Sequence, residues 1–251
     1  MVGDQIKNKE IRRSLVFGRR RGHKLRPKRQ ALVHNLLPEI KIDLEENADV
    51  INPRGYFGSD IDEIWLEIGF GAGEHLAWQA ARRPDVGFIG CEPFMNGVAA
   101  LLSRIVEENL ANIRIFPDDA RLLLARLGAG QVSQLAMLFP DPWPKKRHHK
   151  RRIVSPEIIA LSADILATGG EFRFATDHTE LARWTLLHMH RERRFYWLAE
   201  RPLDWRERPE DWPETRYEQK AREAGRAPIF LRYLRQPEAA AETAAGALSV
   251  S

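Results

Sequence analysis

The sequence predicts a doubly wound α/β fold on a mostly parallel sheet of seven strands, and three observations carry that expectation. Short β-rich runs alternate with stretches of helical periodicity through the middle of the chain. Glycines at alternate positions follow the first of these strands, and acidic residues follow each of the first three. Ligands of such a sheet bind beyond the carboxyl ends of its strands, so residues at those ends are the candidates for chemistry.

Each element has its own local reason. Ile64-Trp65-Leu66-Glu67-Ile68 is a β-rich run ended by glycines, and 74–83 has helical character up to Pro84. The apolar run 87–91 is a second strand, followed by a helix over 98–109 with apolar residues at helical spacing. Strand 113–116 precedes helix 120–127, and strand 135–139 precedes helix 155–166, where Pro156 suits a first turn. Strand 171–175 leads to helix 180–190. The aromatic runs 195–198 and 229–234 are the last two strands, and only a loop and a short helix lie between them. They are therefore expected to form an antiparallel edge. Strict alternation of this kind is Rossmann-like, with helices on both faces of the sheet.

Composition bounds the rest. The chain has 251 residues, 43% hydrophobic and 29% charged, enough for one α/β domain with short appendages. Net charge is only +4, so the placement of basic residues matters more than their total. Residues 1–30 are basic and lack apolar periodicity, which reads as a mobile arm, equally a solvated tail or an RNA-binding segment on charge alone. Residues 31–236 form the folded domain, and 237–251, rich in Ala, Glu and Thr, a frayed tail. Cys91 is the single cysteine, which rules out an intrachain disulfide and suits a reducing compartment. No signal-like or membrane-spanning apolar run is present, so the expectation is a soluble cytoplasmic protein without a membrane partner.

The strand ends describe a ligand. Glu67-Ile68-Gly69-Phe70-Gly71-Ala72-Gly73 follows the first strand, and Gly69, Gly71 and Gly73 let the backbone turn sharply and approach a ligand closely. The spacing is G-x-G-x-G rather than the dinucleotide G-x-G-x-x-G, and the preceding Glu67 would repel a pyrophosphate. A carboxylate there suits a cationic ligand such as S-adenosylmethionine. Glu92, after the second strand, is placed to accept hydrogen bonds from ribose hydroxyls. Of Asp118 and Asp119, after the third, Asp119 is the better candidate for the adenine amine, with helix capping as the alternative. Together these acids predict an S-adenosylmethionine site.

The segment after the fourth strand is Phe139-Pro140-Asp141-Pro142-Trp143-Pro144-Lys145-Lys146, followed by Arg147, His148, His149, Lys150, Arg151 and Arg152. Three prolines stiffen it around an acid and an aromatic ring. The basic run follows where it can neutralise phosphates beside the Trp143 ring, an RNA-binding expectation. His148 and His149 lack a matching set of ligands at metal spacing, so no metal is expected.

With Ala175-Thr176-Asp177 and Thr215-Arg216-Tyr217-Glu218 added, these motifs resemble the bacterial tRNA (guanine-N7-)-methyltransferase family across residues 12–235, including Phe17-Gly18-Arg19-Arg20 near the start. The 139–143 loop and Thr215–Glu218 are the specific motifs; the glycine turn is common to many methyltransferases. The resemblance implies a class I methyltransferase sheet and a target guanosine in the tRNA variable loop. It also implies that Glu67, Glu92, Asp119 and Asp141 contact the cofactor. Lys145, Asp177, Thr215, Arg216, Tyr217 and Glu218 are implied to contact the substrate, and the run from Arg147 to Arg152 to meet RNA.

Guanine N7 carries a lone pair and no proton, so its methylation needs no general base. Positive charge does build on the purine, and Asp141, the catalytic candidate, is placed with Asp177 to hold the N–H edge and offset it. Trp143 and Tyr217 are candidates to flank a base taken out of its stack, with core packing as the alternative for both. Two other readings stand beside this one. An amino-group methyltransferase is suggested by Asp141-Pro142-Trp143, and a non-catalytic RNA-binding module by the basic run. The residues do not distinguish a monomer from a homodimer.

Overall fold

The computed structural model describes residues 20–44 and 50–237. Phe17, Gly18 and Arg19, the rest of the basic stretch 1–19, and the tail 238–251 lie outside the described residues.

Seven strands form one sheet: β1 Glu63–Ile68, β2 Val86–Cys91, β3 Ile113–Phe116, β4 Val132–Leu138, β5 Leu166–Thr176, β6 Phe195–Trp197 and β7 Ile229–Arg235. Their order is β3-β2-β1-β4-β5-β7-β6. Neighbours from β3 to β5 are parallel, and β7 runs antiparallel to both β5 and β6. The order reverses between β1 and β4, so the crevice at their carboxyl ends is where a ligand is expected to sit. The glycine turn and the Asp141 loop both open there.

The central strands β1, β2 and β4 are largely buried on both faces, and the apolar residues of the sheet form two main clusters. One joins Ile64, Leu66, Leu135 and Phe172 with the helix Pro156–Ile165; the other joins Phe88 and Ile113 with Leu76, Val98 and Leu101 of the helices Glu74–Arg82 and Met95–Glu107. Every predicted strand exists: 113–116 is reproduced at both ends, and elsewhere an end moves by at most five residues. β5 shows the largest shift, beginning at Leu166 directly after a helix and passing Gly169 at φ +82°. The helix expected from 98 begins at Met95, because Phe94 is still extended and can serve as its N-cap residue. The helix expected to reach 127 ends at Leu124, and Leu127 instead pairs with Ile51 in an isolated parallel bridge.

The division drawn between residues 30 and 31 cuts through a helix, Pro27–Asn35. Residues 20–30 are joined to the domain. The Met95 amide donates to the Arg20 carbonyl at 3.0 Å, Arg20 meets Asp118 at 2.7 Å, and Asn96 bridges Gly22 and His23 at 2.8 Å to each. Among the described residues no helix is long and apolar enough to cross a membrane.

Candidate active site

A cleft of about 1030 Å³ lies along the carboxyl ends of β1, β2, β3 and β4. Its floor is the glycine turn, where Gly69, Gly71 and Gly73 all take positive φ, between +58° and +74°. Gly73 is also sterically fixed, since a Cβ there would lie 2.5 Å from Leu101 Cδ1. A fourth glycine, which sequence reasoning missed, is as tightly constrained. A Cβ on Gly97 would sit 2.2 Å from the Gly71 carbonyl oxygen, so the helix Met95–Glu107 can close on the turn only without a side chain there.

The predicted acids divide by partner. Glu92 lines the cleft and accepts from the Gly71 amide on Oε2 and the Phe94 amide on Oε1, each at 2.9 Å. Burial raises its carboxyl above the usual carboxylate range; the two amides oppose that shift, and the nearby Asp141 and Glu67 charges add to it. Asp119 also lines the cleft. It caps the helix Ala120–Leu124 through the Arg121 amide at 3.0 Å and pairs with the Arg121 guanidinium at 2.9 Å, so the capping alternative is realised on a residue that still borders the cleft. Burial raises it too, with Arg121 opposing.

Glu67 lies elsewhere. It is buried, with Oε2 2.7 Å from His75 Nδ1, and borders a separate space of about 20 Å³ that shares Gly69, Phe139 and Tyr217 with the main cleft.

Asp141 stands exposed at the cleft and accepts no hydrogen bond from the described residues. Its loop is held under strain: Phe139 at φ +51° and Trp143 at φ +42° are two of three non-glycine residues with positive φ among the described residues. Such conformations cost roughly 1–3 kcal/mol each and persist only where the surroundings enforce them. The Phe139 amide is tied to the Ala175 carbonyl at 2.7 Å, and Arg152 holds the Pro142 carbonyl at 2.9 Å.

The basic run forms a 3-10 turn, Lys146–Arg151, that sorts its members. Lys145, Lys146, Arg147 and Lys150 are exposed. His148 meets the Trp143 ring edge-on at 5.8 Å, and the surroundings of Lys and Arg, after partial burial, push its ring below the usual histidine value. Arg151 lies 5.0 Å over the same ring. His149 faces Glu180 at 3.1 Å and the Trp184 ring at 5.5 Å. Arg152, grouped by sequence with the RNA-facing residues, is instead 2% exposed, with Glu180 at 3.1 Å; it is a strut under the Asp141 loop.

The Thr215–Glu218 motif divides likewise. Thr215 caps the helix Arg216–Glu223, with its hydroxyl accepting from the Glu218 amide at 3.3 Å, and Glu218 is buried against Arg222 at 2.8 Å and Arg208 at 3.3 Å. Neither lines the cleft. Arg216 and Tyr217 do: the Arg216 amide donates to Glu74 at 3.1 Å, and Tyr217 lies against Gly71 with 41% of its surface exposed. Asp177 pairs with Arg226 at 2.7 Å, and neither it nor Lys145 lines the cleft. Arg26, Lys28 and Arg29, from the segment read as an arm, do line it; only their charge could have marked them.

A family model described as "Putative methyltransferase" matches residues 62–231. The chain is 48% identical over 226 residues to a tRNA (guanine-N(7)-)-methyltransferase of Rhodospirillum rubrum, covering 89% of each. A tRNA (guanine-N(7)-)-methyltransferase of Zymomonas mobilis is 48% identical, covering 88% of this chain and 94% of its own. The chain belongs to the tRNA (guanine-N(7)-)-methyltransferase family. Among solved structures it is similar to the aminoglycoside resistance methyltransferase NpmB1, at 17% identity and a TM-score of 0.48, over 70% of this chain and 89% of that one. The strained 139–143 loop sets Asp141, a carboxylate without a hydrogen-bond partner among the described residues, at the rim of the cleft.

Proposed function

We propose that this chain transfers the methyl group of S-adenosylmethionine to N7 of a guanine in the variable loop of tRNA, forming 7-methylguanosine. The observation that carries the reading is Asp141, exposed at the cleft on a strained loop and followed directly by an exposed basic turn. Relatives named for this activity, matched over nearly their whole length, support it.

The residues present fit the cofactor. The cleft, about 1030 Å³, is large enough for a nucleoside-sized ligand. Gly71 and Gly97 leave its floor without side chains, and Glu92 stands at the end of β2, where a ribose would be held. When bound, S-adenosylmethionine supplies a methyl carbon that N7 attacks with its lone pair, while the electrons of the breaking C–S bond stay on sulfur. Glu92 would accept from the ribose hydroxyls and Asp119 from the adenine amine, while Glu67, outside the cleft, would favour the ammonium group only across the shared wall.

Asp141 accepts from the Watson–Crick N–H edge of guanine and stabilises the positive charge that develops there. Asp177 shares that task only by exchanging its Arg226 partner. Alignment of the reacting atoms supplies much of the remaining acceleration. Trp143 and Tyr217, half-exposed at the cleft rather than in the core, flank the flipped base. Lys145, Lys146, Arg147 and Lys150 meet tRNA phosphates. The place of action is the cytoplasm, with the enzyme a monomer or a homodimer.

The test is methyl transfer from labelled S-adenosylmethionine to unmodified tRNA, with the product nucleoside identified by mass spectrometry. Finding 7-methylguanosine in the variable loop is the expected result. A methylated exocyclic amine would overturn the N7 assignment, and cofactor and tRNA binding without any product would leave an RNA-binding module.

A further inference from the structure

We propose that His75 is a positioning residue that keeps the buried Glu67 carboxylate charged, held in that role by Gln79 through the choice of ring tautomer. This rests on the cofactor reading of Glu67 given above. The three side chains form a chain of hydrogen bonds under the glycine turn: Glu67 Oε2 lies 2.7 Å from His75 Nδ1, and His75 Nε2 lies 3.3 Å from Gln79 Nε2. Each of the three residues is only 4% exposed, so the chain of bonds runs between buried side chains.

The far end of the chain decides the direction. Gln79 Nε2 also donates to the Asp211 carbonyl at 2.7 Å, so the nitrogen, not the oxygen, of the Gln79 amide faces the histidine. An amide N–H pointing at Nε2 requires a lone pair there. The ring proton therefore sits on Nδ1, where it donates to Glu67. The result is a neutral imidazole beside an ionised carboxylate, with one negative charge retained. An imidazolium would instead cancel that charge and leave two donors facing each other at Nε2. His75 stands in the first turn of the helix Glu74–Arg82, whose positive end favours a net negative pair. Glu67 borders the space roofed by Tyr217 and Thr215, so its charge acts across the wall shared with the main cleft. A cationic amine is the ligand chemistry this charge selects, and a metal is not required.

The Asp211 link has a second effect. Trp212 packs edge-on against His75 at 6.1 Å, and Arg173 pairs with Asp211 at 2.7 Å. The segment that carries Arg216 and Tyr217 is thereby tied to the same buried chain.

Two measurements test the proposal on the full-length protein. Long-range proton–nitrogen NMR of the histidine ring, assigned by loss of the signal in a His75 variant, is expected to show the Nδ1–H tautomer at neutral pH; an Nε2–H ring or an imidazolium overturns it. Calorimetric binding of S-adenosylmethionine, without tRNA, compares His75→Leu with His75→Gln. Leucine removes the donor, and affinity is expected to fall about tenfold or more, while glutamine, which can still donate to Glu67, is expected to stay within about threefold of wild type. Both variants are first checked by thermal melting, and tRNA affinity is expected to stay unchanged in both. Equal losses in the two variants, or none in either, overturn the role. Failure of the wild type to form 7-methylguanosine would instead count against the function, because the ring tautomer is read independently of turnover.

Discussion

At the residue scale, the site rests on a few positions whose geometry admits no substitute. Asp141→Asn keeps the size of the side chain but removes the charge that would offset the developing cation. Turnover of tRNA is expected to fall by about 100-fold or more, with S-adenosylmethionine affinity within a few-fold, in single-turnover assays and calorimetry. A rate near that of wild type would remove Asp141 from the chemistry. Gly97→Ala brings a methyl group to 2.2 Å from a backbone oxygen, and backbone cannot yield as a flexible side chain does. The helix must withdraw from the turn, and loss of cofactor binding with a lowered Tm is expected, measured by calorimetry and thermal melting.

Glu92 supplies a pH signature. Burial raises its carboxyl in the folded state, so between the ordinary carboxylate value and that raised value the folded protein holds a proton that the unfolded chain has released. Its contribution to stability is therefore most favourable in acid and is lost as pH rises through the raised value. The difference in Tm between wild type and Glu92→Gln is expected to shift toward wild type as pH falls from neutral, in melts across that range.

At the element scale, the helix Arg216–Glu223 shows how one motif holds two kinds of residue. Thr215 and Glu218 have the spacing of a capping box, a local signal legible in the sequence, and the Thr215 hydroxyl does accept from the Glu218 amide. The resemblance assigned all four residues of the motif to substrate contact, whereas geometry gives the cleft Arg216 and Tyr217 and gives the helix start the other two. Thr215→Ala is expected to destabilise the protein by about 1 kcal/mol, with Thr215→Ser close to wild type in denaturant melts. The same cap aims Tyr217 at Gly71, so the alanine variant is also expected to raise the KM for the cofactor more than it lowers kcat.

At the scale of the whole molecule, exposed Lys145, Lys146, Arg147 and Lys150 lie beside one wall of the cleft, while Arg26, Lys28 and Arg29 line it from the segment joined to the helix Met95–Glu107. The triple substitution Lys146→Ala, Arg147→Ala, Lys150→Ala is expected to weaken tRNA binding broadly and to lower the salt slope by about two, with Tm unchanged. Arg152→Ala is expected to do the reverse, lowering Tm and disordering the Asp141 loop, because its guanidinium holds the Pro142 carbonyl and Glu180. Filter binding across salt concentrations and thermal melting separate the two.

The sequence by itself determined the sheet, the turn and the rim acids. β-rich runs, alternate glycines and prolines act through dihedral angles and spacings of a few residues, and a strand end is visible wherever such a run stops. It did not determine which charges face outward. Arg152 and Lys150 look alike in a basic run, and only the packing of Glu180 and Trp184 beneath it buries one and leaves the other in water. Tertiary structure also decided the supports of the site, because Gly97 meets Gly71 and Gln79 meets Asp211 across separations that no local periodicity records. Local chemistry placed the functional groups at the strand ends, and long-range packing chose which of them the cleft receives, since close contact between distant segments depends on the shape of the whole fold.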